Sequence, residues 1–158
     1  MRHAYDVPPE RVHAVLTDPG YLRDKLATVG GPGAELVSHT ANSSSLTIVQ
    51  RQGVPADSLP SAIRSFVPGD LAIERTEVWS GPTDGTIDVT ITAAPGSVSG
   101  TIHVAPEGNG SLVVIRIDAS VPVPLLGGRI ERTITDNIER LGDVEHAFTR
   151  EWMRDHPG

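Results

Sequence analysis

Charged residues interrupt the apolar pattern of one β-like segment. Residues 71–79 alternate, so the odd-numbered positions share one face if the segment is a strand, and two of them are Arg75 and Glu77. An unpaired charge on an apolar face is costly, so these two should pair with each other or with a ligand group. This pattern predicts a polar anchor in an apolar pocket, which is typical of small-molecule sites. Two alternatives are a bulge that turns the pair to solvent and a purely structural ion pair.

A further carboxylate interrupts the apolar stripe of the predicted C-terminal helix. Glu145 follows Leu141 by four residues and precedes Phe148 by three. Apolar surroundings would raise its pKa and suit it to acid–base chemistry. The alternatives are a position at the water-facing edge of the stripe or an ion pair with an arginine. Gly142, in the same helix, either permits close approach of the sheet, leaves room for a ligand or tolerates a bend.

Other chemistries have little support in the sequence. The chain has no cysteine, which excludes thiolate nucleophiles, disulfides and cysteine zinc sites. Asp143 and His146 have the spacing of metal ligands, but no second pair accompanies them. His103 falls on the polar face of its strand, which favours a surface role. We therefore predict no catalytic residues, no metal and no cofactor.

The overall charge limits the possible partners. The chain has 158 residues and a formal net charge of −7, which opposes binding to nucleic acid or to anionic membranes. The sequence shows neither a signal-peptide pattern nor an apolar run long enough for a bilayer. We expect a cytoplasmic protein without membrane insertion, and the sequence does not indicate its oligomeric state.

Strands must position Arg75 and Glu77. Period-two alternation, with turns at Asn42-Ser43, Gly81-Pro82, Pro95-Gly96 and Gly108-Asn109-Gly110, predicts seven strands at residues 1–6, 34–41, 44–51, 71–79, 86–92, 97–105 and 112–121. The later strands have one apolar and one polar face, so the sheet should be covered on one side only. The short connections make it antiparallel.

The predicted helices must cover the apolar face of this sheet. Two short ones are predicted at residues 10–17 and 21–27, and a long one, about 38 Å, at about residues 128–153. The apolar stripe of the long helix consists of Ile130, Ile134, Ile138, Leu141, Val144, Phe148 and Trp152. Residues 53–69 fit neither period. They could start a short helix with Ile63, Phe66 and Val67 on one side, and form either a lid or a packed surface excursion.

This order of elements resembles the START-like (helix-grip, SRPBCC) superfamily over the whole chain. Three segments, residues 75–79, 123–131 and 148–152, further resemble a bacterial family named domain of unknown function 2505. The resemblance implies an α+β helix-grip fold: a curved seven-stranded antiparallel sheet, two short helices after the first strand, and a long C-terminal helix across the sheet. It also implies a cavity between sheet and helix, but no activity.

These observations lead to one expectation with two alternatives. We expect residues 1–158 to be a single START-like domain that binds or carries a small apolar molecule, lipid-like or polyketide-like, without catalysis. The alternatives are a cyclase-like or dehydrase-like enzyme that uses Arg75, Glu77 or Glu145, and a protein-interaction module without a cavity. The candidate cavity residues are Gln50, Arg75, Glu77, Trp79, Ile134, Ile138, Leu141, Glu145 and Phe148.

Overall fold

A seven-stranded antiparallel sheet forms the body of the fold. The computed structural model describes residues 1–59, 61–65, 69–92, 96–122, 124 and 127–157. The strands follow the order β1-β7-β6-β5-β4-β3-β2. Their bounds are β1 Arg2–Tyr5, β2 Glu35–Ala41, β3 Leu46–Val54, β4 Leu71–Trp79, β5 Asp84–Ile91, β6 Ser97–Glu107 and β7 Gly110–Ser120. The predicted α+β helix-grip fold is confirmed.

One strand is displaced from its predicted position. β3 was expected at residues 44–51 but runs Leu46–Val54. The reason is the side chain of Asn42, whose Oδ1 accepts hydrogen bonds from the backbone N–H groups of Ser44 (2.9 Å) and Ser45 (2.8 Å). This side-chain turn holds both serines out of the strand.

The helices are α1 Pro9–Leu16, α2 Pro19–Val29, α3 Ser61–Arg64 and α4 Gly127–Asp155, and a single 3-10 turn precedes α3. Pro9 opens α1, as expected for proline in a first turn. The Oδ1 of Asp18 caps α2 by accepting a hydrogen bond from the N–H of Tyr21 at 2.8 Å. The order of two short helices and one long C-terminal helix is as predicted.

The described residues form two apolar clusters on the covered side of the fold. The main apolar cluster joins α1, α2 and the sheet, and its buried members are Tyr5, Val12, Val15, Tyr21, Leu22, Ile48, Trp79, Ile87, Ile102, Val104 and Val113. The second apolar cluster is smaller and contains Leu59 and Leu71, with Val54, Ile73 and Ile91 packed against them. The alternation predicted for the later strands agrees with this burial.

The long helix α4 lies across the sheet and runs closest to β7, α2 and β1. Its apolar stripe differs from the prediction at one position, because Val144 is 50% exposed. The inward face is rotated toward Thr149, which is 1% exposed, and this rotation places Val144 on the outer border. A Cβ at Gly142 would lie 2.5 Å from Met1 Sδ, so this glycine leaves room for the Met1 side chain beside the helix.

The connection between β3 and β4 is described only in part. Leu59 is buried against Leu71 of β4. This contact packs the first half of the connection against the sheet. Phe66 and Val67, the side chain of Ile63 and the predicted turn residue Pro95 lie outside the described residues. The lid therefore stays a prediction. Among the described helices, none combines the length and apolar character needed to cross a bilayer.

Candidate functional site

Four charged side chains converge beneath α4. Arg75 and Glu77 extend from β4, Lys25 from α2 and Glu145 from α4. Arg75 Nη2 lies 2.7 Å from Glu77 Oε1 and its Nη1 lies 3.3 Å from Glu145 Oε2, while Lys25 Nζ lies 3.7 Å from the same Glu145 oxygen. All four side chains are at most 17% exposed. This charged network therefore consists of two cations and two anions in a buried setting.

Neutral donors complete the network. Gln50 Nε2 donates to Glu77 Oε1 at 3.2 Å, and Trp79 Nε1 donates to Glu77 Oε2 at 3.1 Å. Gln52 Nε2 donates to Glu145 Oε1 at 3.1 Å. Each of the four carboxylate oxygens therefore has at least one partner, as a buried carboxylate requires.

A group of hydroxyls lies beside the network. Thr149 Oγ1 donates to the carbonyl oxygen of Glu145 at 2.6 Å, so it accepts its 2.7 Å hydrogen bond from the hydroxyl of Tyr21. Burial raises the pKa of Tyr5 to about 12 and also raises the pKa of Tyr21, although Thr149 lowers the pKa of both phenols. Both phenols therefore remain neutral at physiological pH.

The network keeps Glu145 ionised. Burial alone would raise the pKa of its carboxyl, but the charges of Lys25 and Arg75 and hydrogen bonds together lower it below the usual value. Burial alone would lower the pKa of the Arg75 guanidinium, but the charges of Glu77 and Glu145 raise it above the usual value. Burial lowers the pKa of Lys25, and Glu145 opposes that effect. Of the possibilities weighed for Glu145, the structure has the ion pair with an arginine.

A small cavity adjoins these groups. Its volume is about 50 Å³ and its walls include Tyr5, Tyr21, Lys25, Arg75 and Glu145. A water molecule needs roughly 10–15 Å³ in such a measure, so the space suits a few waters or one small polar group. Pockets for drug-sized ligands are usually about 300–1,000 Å³, so this cavity alone cannot enclose a lipid.

Three buried polar atoms at the network and its cavity lack a hydrogen-bond partner among the described residues. They are Gln50 Oε1, Arg75 Nε and His146 Nδ1, and of these three residues Arg75 and His146 line the cavity. Gln50 and Arg75 face each other across β3 and β4, and both also contact Glu77 Oε1. An unsatisfied buried polar atom costs about 1–3 kcal/mol, so this pair is an unusual feature of the core.

The structure divides the predicted site residues into three groups. Five of them come together in and around the charged network: Gln50, Arg75, Glu77, Trp79 and Glu145. Phe148 packs instead against the main apolar cluster, 6.0 Å from Tyr21 between ring centroids. Ile134, Ile138 and Leu141 lie half-buried on α4, and among the described residues they belong to neither apolar cluster. We call these three residues the aliphatic row.

Lys25 is a site residue that sequence reasoning missed. It is the only lysine of the chain, and it lies four residues after Tyr21 and three after Leu22. That spacing places it on the apolar side of α2, where a buried charge needs partners. Gln52 and Thr149 were also missed. Gln52 lies two residues after Gln50 on the same strand, so the two side chains share one face and Gln52 could have been predicted with Gln50. No sequence pattern singled out Thr149.

Asp143 and His146 of α4, which have the spacing of metal ligands, instead contact His3 of β1. His146 stacks on His3 of β1, with 4.6 Å between ring centroids, and Asp143 Oδ1 lies 3.4 Å from His3 Nε2. In the part of the chain that the structure describes, no three His, Asp or Glu side chains are grouped as metal ligands. His103 is exposed beside Asp84, as its strand parity predicted.

Solved structures share this architecture. A protein from Thermus thermophilus, TTHA0849, superposes with a TM-score of 0.67 over 100% of this chain and 97% of its own, at 15% identity. A START superfamily protein from Mycobacterium smegmatis superposes with a TM-score of 0.61 over 96% of both chains, at 10% identity. The chain therefore has the START-like, helix-grip fold.

Sequence comparison gives the family. Residues 1–153 match the profile of the protein family of unknown function DUF2505, and the chain belongs to that family. The uncharacterized protein Rv0481c from Mycobacterium tuberculosis is 27% identical over 164 residues, which cover 97% of this chain and 94% of that protein. The resemblance inferred from the sequence is confirmed.

Proposed function

We propose that residues 1–158 form one domain that binds a small amphipathic molecule beneath α4. The polar end of the molecule would contact the charged network, and its apolar part would lie along the aliphatic row. The observation behind this proposal is the contrast between a buried polar network beside a cavity and a half-buried apolar row on the same helix face.

The spacing of α4 supports a continuous binding surface. Ile134, Ile138, Leu141 and Glu145 follow one another at intervals of four, three and four residues, so they share one helix face. Glu145 on that face contacts the sheet through Arg75, which shows that the face points inward. From Ile134 to Leu141 the helix rises about 11 Å, enough for an eight-carbon chain.

The opposing surface of the sheet is also apolar. Ile73 and Ile91 are half-buried at the second apolar cluster, and Val89 and Ile117 are half-buried beside the main apolar cluster. An apolar ligand that removed these side chains from water would gain roughly 25 cal/mol for each Å² of apolar surface buried. The fold of this class, in which a helix covers one face of a sheet, supports the same placement.

A catalytic role is the second candidate, because four titratable groups converge as an enzyme would require. General acid–base catalysis needs a group that exchanges protons near neutral pH. The lowered pKa of Glu145 works against that role, and the lowered pKa of Lys25 is the shift that favours it. An interaction module is less supported, since the exposed large apolar residues among those described, Val37 and Val144, lie on different elements.

Binding of the neutral fluorophore Nile red tests the proposed function. The inward variant Ile138→Gln should weaken its binding about tenfold, because a polar amide replaces half-buried apolar surface in the aliphatic row. The matched variant Val144→Gln lies on the outer border of the same helix and should change the affinity less than about twofold.

Native mass spectrometry of protein purified from its own host complements the titration, and a retained apolar adduct is the expected result. Bare protein that also fails to bind Nile red would refute the proposed function. Equal losses in Ile138→Gln and Val144→Gln would refute the location beneath α4.

A further inference from the structure

Lys25 is a buried lysine on the wall of the small cavity. Its side chain is 5% exposed, and Lys25, Arg75 and Glu145 all line the space of about 50 Å³. Lys25 Nζ and Arg75 Nη1 both contact Glu145 Oε2, at 3.7 Å and 3.3 Å, so the amine and the guanidinium are neighbours. The one lysine of the sequence therefore lies at an internal space, beside a carboxylate and a second cation.

This environment favours a lysine that acts as a nucleophile. Burial lowers the pKa of the Lys25 amine, the charge of Glu145 opposes that effect, and the charge of Arg75 adds to it. A lowered pKa increases the fraction of neutral amine at pH 7, and only the neutral amine attacks a carbonyl carbon. Desolvation and a neighbouring cation are two of the means by which proteins activate such an amine.

The cavity wall also has a donor for the oxygen of a carbonyl compound. Arg75 Nε is buried and lacks a hydrogen-bond partner among the described residues. A carbonyl oxygen only accepts hydrogen bonds, so it matches this donor. A charged donor also stabilises the negative charge that develops on the oxygen when a nucleophile attacks. His146 Nδ1, the other partnerless atom of a wall residue, is available to the hydroxyl group that the attack produces.

The size and the charge balance of the cavity restrict the carbonyl compound. The volume of about 50 Å³ suits a molecule of very few heavy atoms. Lys25 and Arg75 balance Glu77 and Glu145, so a further charged group would remain uncompensated in a buried site. A small neutral aldehyde meets both conditions. A protonated imine keeps the positive charge of the lysine opposite Glu145, whereas an amide would remove it.

We propose that Lys25 forms a covalent imine with an aldehyde of one or two carbons in this cavity. The proposal goes beyond the proposed function and is independent of it, because it requires the cavity and not the aliphatic row.

The reaction begins with a proton transfer from the Lys25 ammonium group to Glu145 Oε2. The lone pair of the neutral amine then forms a bond to the aldehyde carbon, and the π electrons of the carbonyl group move to its oxygen. A proton passes from the nitrogen to that oxygen and gives a neutral carbinolamine. Glu145 returns its proton to the hydroxyl group, which leaves as water while the nitrogen lone pair forms the C=N bond. The products are a protonated imine, an ionised Glu145 and one water molecule.

Reductive trapping with acetaldehyde tests the proposal. Sodium cyanoborohydride reduces the imine to a stable ethylated amine, and peptide mapping by mass spectrometry locates the label. At pH 7, Lys25 of the native protein should be labelled at least about fivefold faster than Nα-acetyl-lysine in the same solution, because more of its amine is neutral. The rate should also saturate as the acetaldehyde concentration rises, since binding in the cavity precedes the reaction.

A bulky aldehyde tests the size limit of the cavity. 2,2-Dimethylpropanal has the same reactive group on a larger carbon skeleton. The preference for acetaldehyde over this compound should be at least about tenfold greater at Lys25 than at Nα-acetyl-lysine, because the cavity does not admit the larger molecule. In urea that unfolds the protein, the two preferences should become equal.

A matched pair of valine variants tests the location. Val113 of β7 lines the cavity, whereas Val104, directly opposite on β6, is also buried in the main apolar cluster but is not a wall residue. Val113→Ile adds a methylene group at the cavity wall and should slow the labelling of Lys25 at least about threefold. Val104→Ile adds the same group away from the cavity and should change the rate less than about 1.5-fold. Circular dichroism verifies that both variants fold.

Three results would overturn the imine proposal. If native Lys25 is labelled no faster than Nα-acetyl-lysine, Lys25 is only a structural counter-ion of Glu145. If Lys25 shows no greater preference for acetaldehyde than Nα-acetyl-lysine does, or if the two folded valine variants are labelled equally fast, the label does not arrive through the cavity. The comparison with Nα-acetyl-lysine uses the wild-type protein and decides the proposal even if a variant does not fold. The proposed function stands or falls separately, because Nile red binding is measured on unlabelled protein.

Discussion

The two ends of α4 have the same kind of apolar stripe but differ in how it is packed. Near the C-terminus, Phe148 and Trp152 pack against the main apolar cluster, and the rings of Tyr21 and Trp152 meet at 5.4 Å between centroids. Nearer the N-terminus, the aliphatic row remains half-buried and joins neither cluster of the described residues. The packed end therefore contributes to the stability of the fold, while the other end leaves apolar surface partly exposed.

The largest expected effect comes from the charged network that separates these ends. Glu145→Gln should lower the free energy of unfolding by about 3–5 kcal/mol, because it leaves Lys25 and Arg75 without a carboxylate that both contact. Urea denaturation followed by circular dichroism measures this loss. Glu74→Gln is the control, since Glu74 is 46% exposed on the other face of β4 and pairs with Arg51.

Glu74→Gln should lower the free energy of unfolding by less than about 1 kcal/mol, because exposed ion pairs contribute little to stability. Comparable losses in Glu145→Gln and Glu74→Gln would show that the buried network contributes no more than a surface pair.

A smaller effect should separate the packed end from the aliphatic row. Phe148→Ala should cost about 3 kcal/mol in the free energy of unfolding, because it opens a space beside the main apolar cluster. Ile138→Ala should cost only about 1 kcal/mol in the ligand-free protein, since the side chain is half-buried and in neither cluster. Urea denaturation of both variants gives the two values. A larger loss for Ile138→Ala would contradict the difference between the two ends.

The smallest effect concerns the histidines near the packed end. Burial, with the neighbouring charges of His3 and Arg150, lowers the pKa of His146, and burial lowers the pKa of His13. Between the folded pKa and the ordinary value near 6.5, the unfolded chain binds more protons than the folded one. Stability should therefore fall as the pH falls below about 6.5.

Melting temperatures measured between pH 7.5 and pH 5.5 test this dependence, because the carboxylates titrate at lower pH. His146→Gln should make the decline shallower, and the double variant with His13→Gln should make it shallower again. A melting temperature that declines equally in all three proteins would remove the assignment to these histidines.

Local patterns were enough to predict most of the fold. Period-two alternation located the strands, and the three-to-four spacing from Ile130 to Trp152 located α4, because each pattern is set by the geometry of a single element. The same parity put Arg75 and Glu77 on one face of β4 but left open whether that face is covered, and the structure buries both side chains as an ion pair. The shift of β3 was missed because it depends on one side-chain turn at Asn42.

The site was harder to predict because its contacts are remote in sequence. Glu145 lies 120 residues after Lys25 and 70 after Arg75, and no local pattern predicts which of the charges on an apolar face meet. The error at Val144 has a similar origin. An apolar stripe defines an inward face only to within the width of several side chains, and packing against α2 and β7 selects the actual rotation of the helix.

The burial of Lys25 also makes the fold accessible to chemical labelling. This side chain is 5% exposed and belongs to the only lysine of the sequence, so a reagent that acylates lysine has a single target. A reagent reaches Lys25 only when α2 separates from α4, because Glu145 of α4 holds its Nζ. The rate at which a mass label appears at Lys25 therefore reports the separation of α2 from α4.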